Sequence, residues 1–139
     1  MLGGAKRRAA ELRLCEGGRL SLVQADATAL PFADASFDTV VDTFSMCVLD
    51  GAAPAALAEA ARVLRPGGVA LLLEHSLADA QLLGAYQDAT ADAVSAGGKG
   101  CRWNQRIVEL VQAAGLRVVS SEPGLGGLLR SIVAVKEAA

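Results

Sequence analysis

Hydrophobic positions along this chain follow two spacings, one typical of helices and one typical of strands. A helical stripe is formed at i, i+3, i+4 and i+7 by Leu57, Ala60, Ala61 and Leu64. This stripe predicts a helix with Pro54 in its first turn, where the missing N–H costs nothing, and a stop at the Pro-Gly-Gly turn 66–68. The segment 69–73 is apolar without alternation, which is typical of a strand covered on both faces.

The remaining elements follow from the same reasoning. Helices are expected at 5–14, closed by Gly17 and Gly18, at about 78–96, and along a stripe from Trp103 to Ala114 that Gly115 caps. Strands are expected at 20–23, 37–48, 116–120 and 131–136. Strands that alternate with helices predict an α/β fold around a largely parallel sheet. Since no repeat or linker interrupts the pattern, residues 1–139 are interpreted as a single domain.

Composition narrows the class of protein. Only 4% of the residues are aromatic, so the core must be built mainly from the 20 Leu and 13 Val. The formal net charge of −2 predicts no basic face, and therefore no nucleic-acid partner. The apolar segment 69–73 is far shorter than the about 20 residues that span a bilayer, so no transmembrane segment is expected. No secretory signal is recognised, and we expect an intracellular protein, cytoplasmic or organellar, with mitochondrion and plastid both left open.

The three cysteines give no sign of a metal site in the sequence. Cys15, Cys47 and Cys101 are far apart, form no C-x-x-C pair, and have only His75 to join them. We therefore expect no metal and no disulfide framework. Cys47 lies in a segment interpreted as an apolar strand, where a buried, unreactive thiol is the common case.

Other catalytic motifs are incomplete. The segment 97–100 lacks the first glycine and the Ser or Thr of a nucleotide P-loop, and the segment 124–127 precedes a strand instead of a helix. Both are expected to be turns. Catalysis of the Ser-His-Asp type would depend on His75, but no G-x-S-x-G segment accompanies it.

Three segments carry a resemblance to a known family. They read A-D-A-x-x-L-P-F at 25–32, S-F-D at 36–38 and R-V-L-R-P-G-G at 62–68. In this order and at these separations they resemble the class I S-adenosylmethionine-dependent methyltransferases, near the ubiquinone and menaquinone C-methyltransferases. The segment 101–104 is also similar to methyltransferase-like proteins of organelle and endoplasmic membranes. The resemblance covers almost the whole chain and implies a Rossmann-like sheet with helices on both faces, S-adenosylmethionine as cofactor, and a small-molecule methyl acceptor.

The resemblance also implies roles for individual residues. Asp26 would accept a hydrogen bond from the adenine amino group, the N–H of Ala27 would meet a ring nitrogen, and Thr43 with Phe44 would lie beside the methionine portion. His75 is the candidate catalytic residue that reaches the acceptor. Ligands of open α/β sheets bind outside the carboxyl ends of the strands, so these residues are expected to line one edge. A loop-capping carboxylate at Asp26 and a purely structural imidazole at His75 are the alternatives.

One part of the family pattern is missing from this sequence. The family's glycine loop, E/D-x-G-x-G-x-G, and its ribose-binding acid are not found, and residues 1–8 match the helix that follows that acid. In the family's strand order, 3-2-1-4-5-7-6, the chain would supply strands 3 to 7, the C-terminal part of an N-terminally truncated fold. We then expect an unpaired segment near 20–24, an exposed apolar edge strand near 39–48, and weak or absent activity of the chain alone.

Two alternatives remain open. The first is a non-catalytic half-domain that pairs with a second copy or a partner chain through the exposed sheet edge. The second is a different nucleotide-binding α/β enzyme, which would need a phosphate loop that the sequence does not contain.

Overall fold

A computed structural model describes residues 2–14, 18, 20–49 and 51–138. Its helices are α1 (Leu2–Glu11), α2 (Ala53–Val63), α3 (Gln81–Gly97) and α4 (Ile107–Ala113), and its strands are β1 (Phe37–Thr43), β2 (Leu64–His75), β3 (Leu116–Gly124) and β4 (Leu129–Lys136). Two short 3₁₀ helices, Met46–Val48 and Leu125–Gly127, complete the described elements. The strands form one α/β sheet in the order β1-β2-β4-β3.

The sheet is mixed, which corrects the expectation of a largely parallel one. Strands β1 and β2 are parallel, as the helix that joins them requires, whereas β4 is antiparallel to both β2 and β3. The short turn at Leu125–Gly127 explains this, because β3 and β4 are consecutive strands joined by a hairpin. The Rossmann-like α/β fold class is confirmed, but four strands are described where five were expected.

The core lies between the sheet and helices α2 and α4. Leu57 of the predicted stripe, Leu64 at the start of β2, and Ile107 of α4 are almost completely buried. The remaining core side chains come from both layers: Ala56, Ala61, Ala70, Leu72, Val111, Leu116, Ile132 and Ala134. The periodic stripe therefore predicted the buried face of α2 correctly.

The opposite face of the sheet is largely open. Val41 pairs in register with Leu71, and these side chains are 68% and 39% exposed, with Leu73 at 38%. The expectation that segment 69–73 is covered on both faces, and that helices lie on both sides, is therefore wrong for the described residues. Burial along β2 alternates because only the side of α2 and α4 is packed.

The predicted strand at 20–23 is not formed. Residues 20–25 have no regular structure, and the only bridge in this region joins Asp26 to Ala29. A strand needs a hydrogen-bonded neighbour, and no neighbour for this segment exists among the described residues. This outcome confirms the expectation of an unpaired segment near 20–24, and the position of β1 at the sheet edge confirms the expected apolar edge strand.

Some boundaries differ from the predicted ones. The first strand ends at Thr43 instead of position 48, because Phe44 adopts a left-handed φ of 53° and the chain turns into the 3₁₀ helix. Helix α2 ends at Val63, before the Pro-Gly-Gly turn, and β2 already begins at Leu64. Gly115, with a φ of 83°, follows α4 and confirms the predicted cap. Gly17 lies outside the described residues.

The helices of the described residues include none with the length and apolar character that a bilayer crossing requires.

Candidate functional site

The carboxyl ends of β1 and β2 lie side by side. Thr43 pairs in register with Leu73, and the N–H of Phe44 donates to the carbonyl of Leu73 at 3.0 Å. The left-handed backbone of Phe44 then directs the chain across the end of β2. Two of the predicted site residues, Thr43 and Phe44, are thereby placed against the last residues of β2.

Glu74 anchors the turn after β1 from the neighbouring strand. Its Oε1 accepts hydrogen bonds from the N–H groups of Ser45 (2.6 Å) and Met46 (3.1 Å), while its Oε2 is buried. Burial is the largest cause that raises the pKa of Glu74 to about 7, and the neighbouring Asp42 side chain is the second. The hydrogen bonds from the two N–H groups lower this pKa but do not cancel the rise. Asp42 itself accepts a short hydrogen bond from the hydroxyl of Ser45.

His75, the predicted catalytic residue, lies at the end of β2 among groups that the sequence did not connect with it. Its ring is 5.1 Å from that of Phe44, and its Nδ1 is 3.4 Å from Cys47 Sγ and 3.6 Å from Cys101 Sγ. Burial lowers the pKa of His75, so the imidazole is neutral at physiological pH. Burial, the thiol of Cys101 and the carboxylate of Glu74 raise the pKa of Cys47 to about 12.

Asp26 and Ala27 lie in the loop before β1. Asp26 Oδ1 accepts hydrogen bonds from both the N–H and the hydroxyl of Thr28, each at 2.8 Å, and these bonds lower the pKa of the carboxyl. The carboxylate is exposed and Ala27 packs against the core. Among the described residues, Thr43, Phe44 and His75 come together at the carboxyl ends of β1 and β2, and a place for Asp26 and Ala27 on the same edge stays a prediction.

A buried glutamine, which sequence reasoning missed, fixes the chain beyond β2. Gln87 of α3 accepts from the N–H of Ala78 at 2.7 Å and donates to the carbonyls of Ser76 and Trp103, both at 2.9 Å. Its side chain is completely buried. Only its polar character among small apolar neighbours on α3 could have indicated this role, because buried amides need several partners.

A groove of about 840 Å³ opens next to this segment. Its polar lining includes Ser76, Asp79 and Arg130, and the guanidinium of Arg130 holds Asp79 at 2.6 Å. None of the residues predicted from the resemblance lines it, although Ser76 directly follows His75. The volume falls within the range of small-molecule sites.

A comparison with protein families identifies the fold. Residues 1–72, half of the chain, match the model of the methyltransferase domain. The chain belongs to this family. Among curated proteins, the chain is 43% identical over 89 residues to the ubiquinone/menaquinone biosynthesis C-methyltransferase UbiE of Rhizobium leguminosarum. The aligned segment covers 64% of this chain and 33% of that protein.

Two further comparisons agree with this assignment. The protein of the same name from Paracoccus denitrificans is 51% identical over 61 residues, 44% of this chain and 24% of that protein. The fold is similar to that of the YcgJ protein of Bacillus subtilis, with a TM-score of 0.74 and 16% identity over 100% of this chain and 79% of the other. The matched segments span about a quarter to a third of the length of these curated relatives.

Membership in this family implies S-adenosylmethionine as the cofactor, and the described residues fit one part of it. Asp26 is an exposed, ionised acceptor, whereas the buried carboxyl groups of Asp42 and Glu74 interact with each other. An acceptor such as Asp26 suits the amino groups of the cofactor. The glycine loop and the ribose-binding acid of the family have no counterpart in the sequence.

Proposed function

We propose that this chain acts in the S-adenosylmethionine-dependent methylation of a small molecule. The observation that carries this proposal is the convergence of Thr43, Phe44 and His75 where β1 and β2 end. In open α/β sheets this is the edge at which ligands bind. The similarity to proteins named as C-methyltransferases supports the same reaction class.

Each residue has a definite part in this proposal. Asp26 and the N–H of Ala27 hold the adenine, and Thr43 with Phe44 lies beside the methionine portion. The bound cofactor supplies a methyl group on a sulfonium. Transfer of that group needs alignment of donor and acceptor more than side-chain chemistry, so His75 acts by orienting the acceptor.

The methyl acceptor would enter through the groove beside Ser76. Arg130 lies in its wall, where its guanidinium donates to Asp79 at 2.6 Å. A guanidinium at this place favours an acceptor molecule with a polar oxygen. Replacing Arg130 with Gln would then raise the KM for the acceptor with little change in the affinity for S-adenosylmethionine.

The chain alone is expected to bind the cofactor weakly or not at all. The loop that lets the backbone approach the cofactor is not in the sequence, and the acid that holds the ribose hydroxyls is also missing. Isothermal titration calorimetry of the 139 residues with S-adenosylmethionine tests this expectation. Micromolar binding that Asp26→Asn leaves unchanged would contradict both the weak affinity and the role of Asp26.

A second test uses the gene. The genomic sequence just upstream of the codon for Met1 can be translated in frame. A G-x-G-x-G segment there would support a longer methyltransferase. A stop codon before any such segment would contradict it.

The alternative function is a non-catalytic half-domain that pairs through the sheet edge. Among the described strands, β1 has a neighbour on one side only, and Val41 on it is largely exposed next to Leu71. Exposed apolar edges favour pairing with another strand. Sedimentation at several concentrations should show association that Val41→Lys weakens. Val119→Lys, at an exposed position of the other edge strand, is the control; a stable monomer at all concentrations would contradict this alternative.

A further inference from the structure

Three side chains with metal-binding atoms converge from separate segments. Cys47 belongs to the 3₁₀ helix after β1, His75 is the last residue of β2, and Cys101 lies in the loop after α3. Their ligand atoms all lie within 4.8 Å of one another, and both cysteines are free. This cluster, Cys47, His75 and Cys101, is here called the Cys-His-Cys cluster.

The distances within the Cys-His-Cys cluster match those of a zinc site. With bonds of about 2.3 Å to sulfur and about 2.05 Å to nitrogen, tetrahedral geometry separates the two ligand atoms by about 3.6 Å. The observed separations from His75 Nδ1 are 3.4 Å to Cys47 Sγ and 3.6 Å to Cys101 Sγ. One ion could therefore contact all three atoms after only small side-chain adjustments.

The two thiols compete for one atom of His75, although Cys47 Sγ also has the carbonyl of Phe44 at 3.9 Å as a hydrogen-bond acceptor. A neutral imidazole has one nitrogen that accepts, and that nitrogen has a single lone pair in the ring plane. Both sulfurs face the same atom, Nδ1, so one S–H···N bond leaves the other thiol without this partner. A metal ion at the centre would give all three atoms a bond at once.

The backbone around the Cys-His-Cys cluster is held in place without a metal. The N–H of Arg102 donates to the carbonyl of Cys47 at 2.7 Å, and the side chain of Gln105 donates to the carbonyl of Met46 at 3.1 Å. The N–H of Leu77 donates in turn to the carbonyl of Gln105 at 2.8 Å. The three segments are thus already positioned, which reduces the entropy lost on metal binding.

We propose that Cys47, His75 and Cys101 bind one zinc ion and leave its fourth position open to water or to a ligand. Two thiolates and an imidazole form a donor set that zinc prefers, and three protein ligands with an open position are typical of reactive zinc sites. The ring of Phe44 is 5.1 Å from that of the ligand His75. The ion would therefore stiffen the edge at which the cofactor is expected. The site does not depend on the methyltransferase proposal.

From the sequence we expected no metal, because the three residues are distant along the chain and include no C-x-x-C pair. That reasoning applies to sites built within one short segment. Here a 3₁₀ helix, a strand end and a loop supply one ligand each, which only the fold brings together.

Metal analysis of the full chain tests the proposal. The protein is produced in medium supplemented with zinc and purified. Inductively coupled plasma mass spectrometry is expected to find one zinc per chain. The apoprotein titrated with cobalt is expected to develop the absorption of thiolate–cobalt bonds with a one-to-one end point. Cys101→Ser should lower cobalt affinity at least tenfold and reduce that absorption, because one thiolate is lost.

Matched controls separate the site from thiol content and from folding. Cys15, which is not among the described residues, is the one cysteine that the proposal does not use, so Cys15→Ser should keep full cobalt binding. Circular dichroism checks that Cys101→Ser and a second variant, His75→Ala, are folded, and zinc should raise the unfolding temperature of the native chain but of neither variant. The proposal is overturned if the folded native chain binds no cobalt, if Cys15→Ser weakens binding as much as Cys101→Ser, or if the isolated protein carries a Cys47–Cys101 disulfide that excludes metal.

Discussion

Arg62 and Glu59 form a two-pronged ion pair on one face of α2, with Nε to Oε1 at 2.7 Å and Nη2 to Oε2 at 2.9 Å. The same two side chains hold the loop before β1. Glu59 Oε2 accepts from the N–H of Leu30 at 2.7 Å, and Arg62 donates to the carbonyls of Leu30 (3.0 Å) and Phe32 (2.9 Å). The loop that contains Asp26 and Ala27 is therefore fastened to the helix behind it.

We expect Arg62→Lys to lower the unfolding temperature by several degrees. A lysine ammonium is a single compact charge without the fork of donors that a guanidinium has. It cannot donate hydrogen bonds to the carboxylate and to both carbonyls at once. Thermal unfolding followed by circular dichroism measures the effect. Arg106→Lys is the control, because the exposed side chain of Arg106 forms one ion pair among the described residues, with Glu109 at 3.8 Å; equal effects of the two variants would contradict the clamp.

The same pair predicts the acid stability of the fold. Hydrogen bonds from the Arg62 side chain and from the N–H of Leu30 lower the pKa of Glu59 to about 2. A carboxyl whose pKa is lower in the folded state contributes stability above its unfolded pKa of about 4.5, and this contribution is lost as the pH falls toward 2. Urea unfolding between pH 5 and pH 2 should therefore show a steeper loss for the native chain than for Glu59→Gln. Identical slopes would show that Glu59 titrates normally in the folded protein.

Local patterns predicted the helices well. The stripe of Leu57, Ala60 and Ala61 depends on a repeat of 3.6 residues, which a single helix satisfies by itself once one face meets the core. Gly115 as a cap is likewise a local matter, since only the residue after α4 must adopt a positive φ. Both predictions were confirmed.

Strands and sites depended on partners far along the chain. Leu20 and Val23 have strand-like neighbours, yet the segment pairs with no strand among the described residues. Leu71 and Leu73 belong to a continuous apolar run, but their face lacks a covering helix and stays exposed. The approach of Cys101 to His75 could not be predicted either, because it depends on how α3 returns the chain to the end of β2.

Gly115→Ala is expected to destabilise the protein by about 1–2 kcal/mol. Its φ of 83° lies in the left-handed region, where a Cβ atom meets the following carbonyl, although nothing else lies within 4 Å. Gly97→Ala is a matched control, because Gly97 is exposed at the end of α3 and has no positive φ. Alanine favours the helix at that position, so the control should be neutral or slightly stabilising in chemical denaturation. If Gly115→Ala leaves the free energy of unfolding unchanged, the residue after α4 does not adopt the left-handed conformation.

Ile107 tests whether α4 belongs to the core that supports the site. Its side chain is completely buried and packs with residues of α2, β2 and β4, while α4 follows directly on the segment of Gln105, which reaches across to Met46. Ile107→Ala removes three carbon atoms and leaves a cavity, which should lower the free energy of unfolding by about 2–5 kcal/mol. Leu82→Ala on α3, where the leucine is 89% exposed, should change it by less than about 0.5 kcal/mol. Urea unfolding with unchanged m-values measures the free energy of unfolding of both variants. A small effect of Ile107→Ala would mean that α4 is only loosely attached. In that case the loop between α3 and α4 could not hold Cys101 against His75.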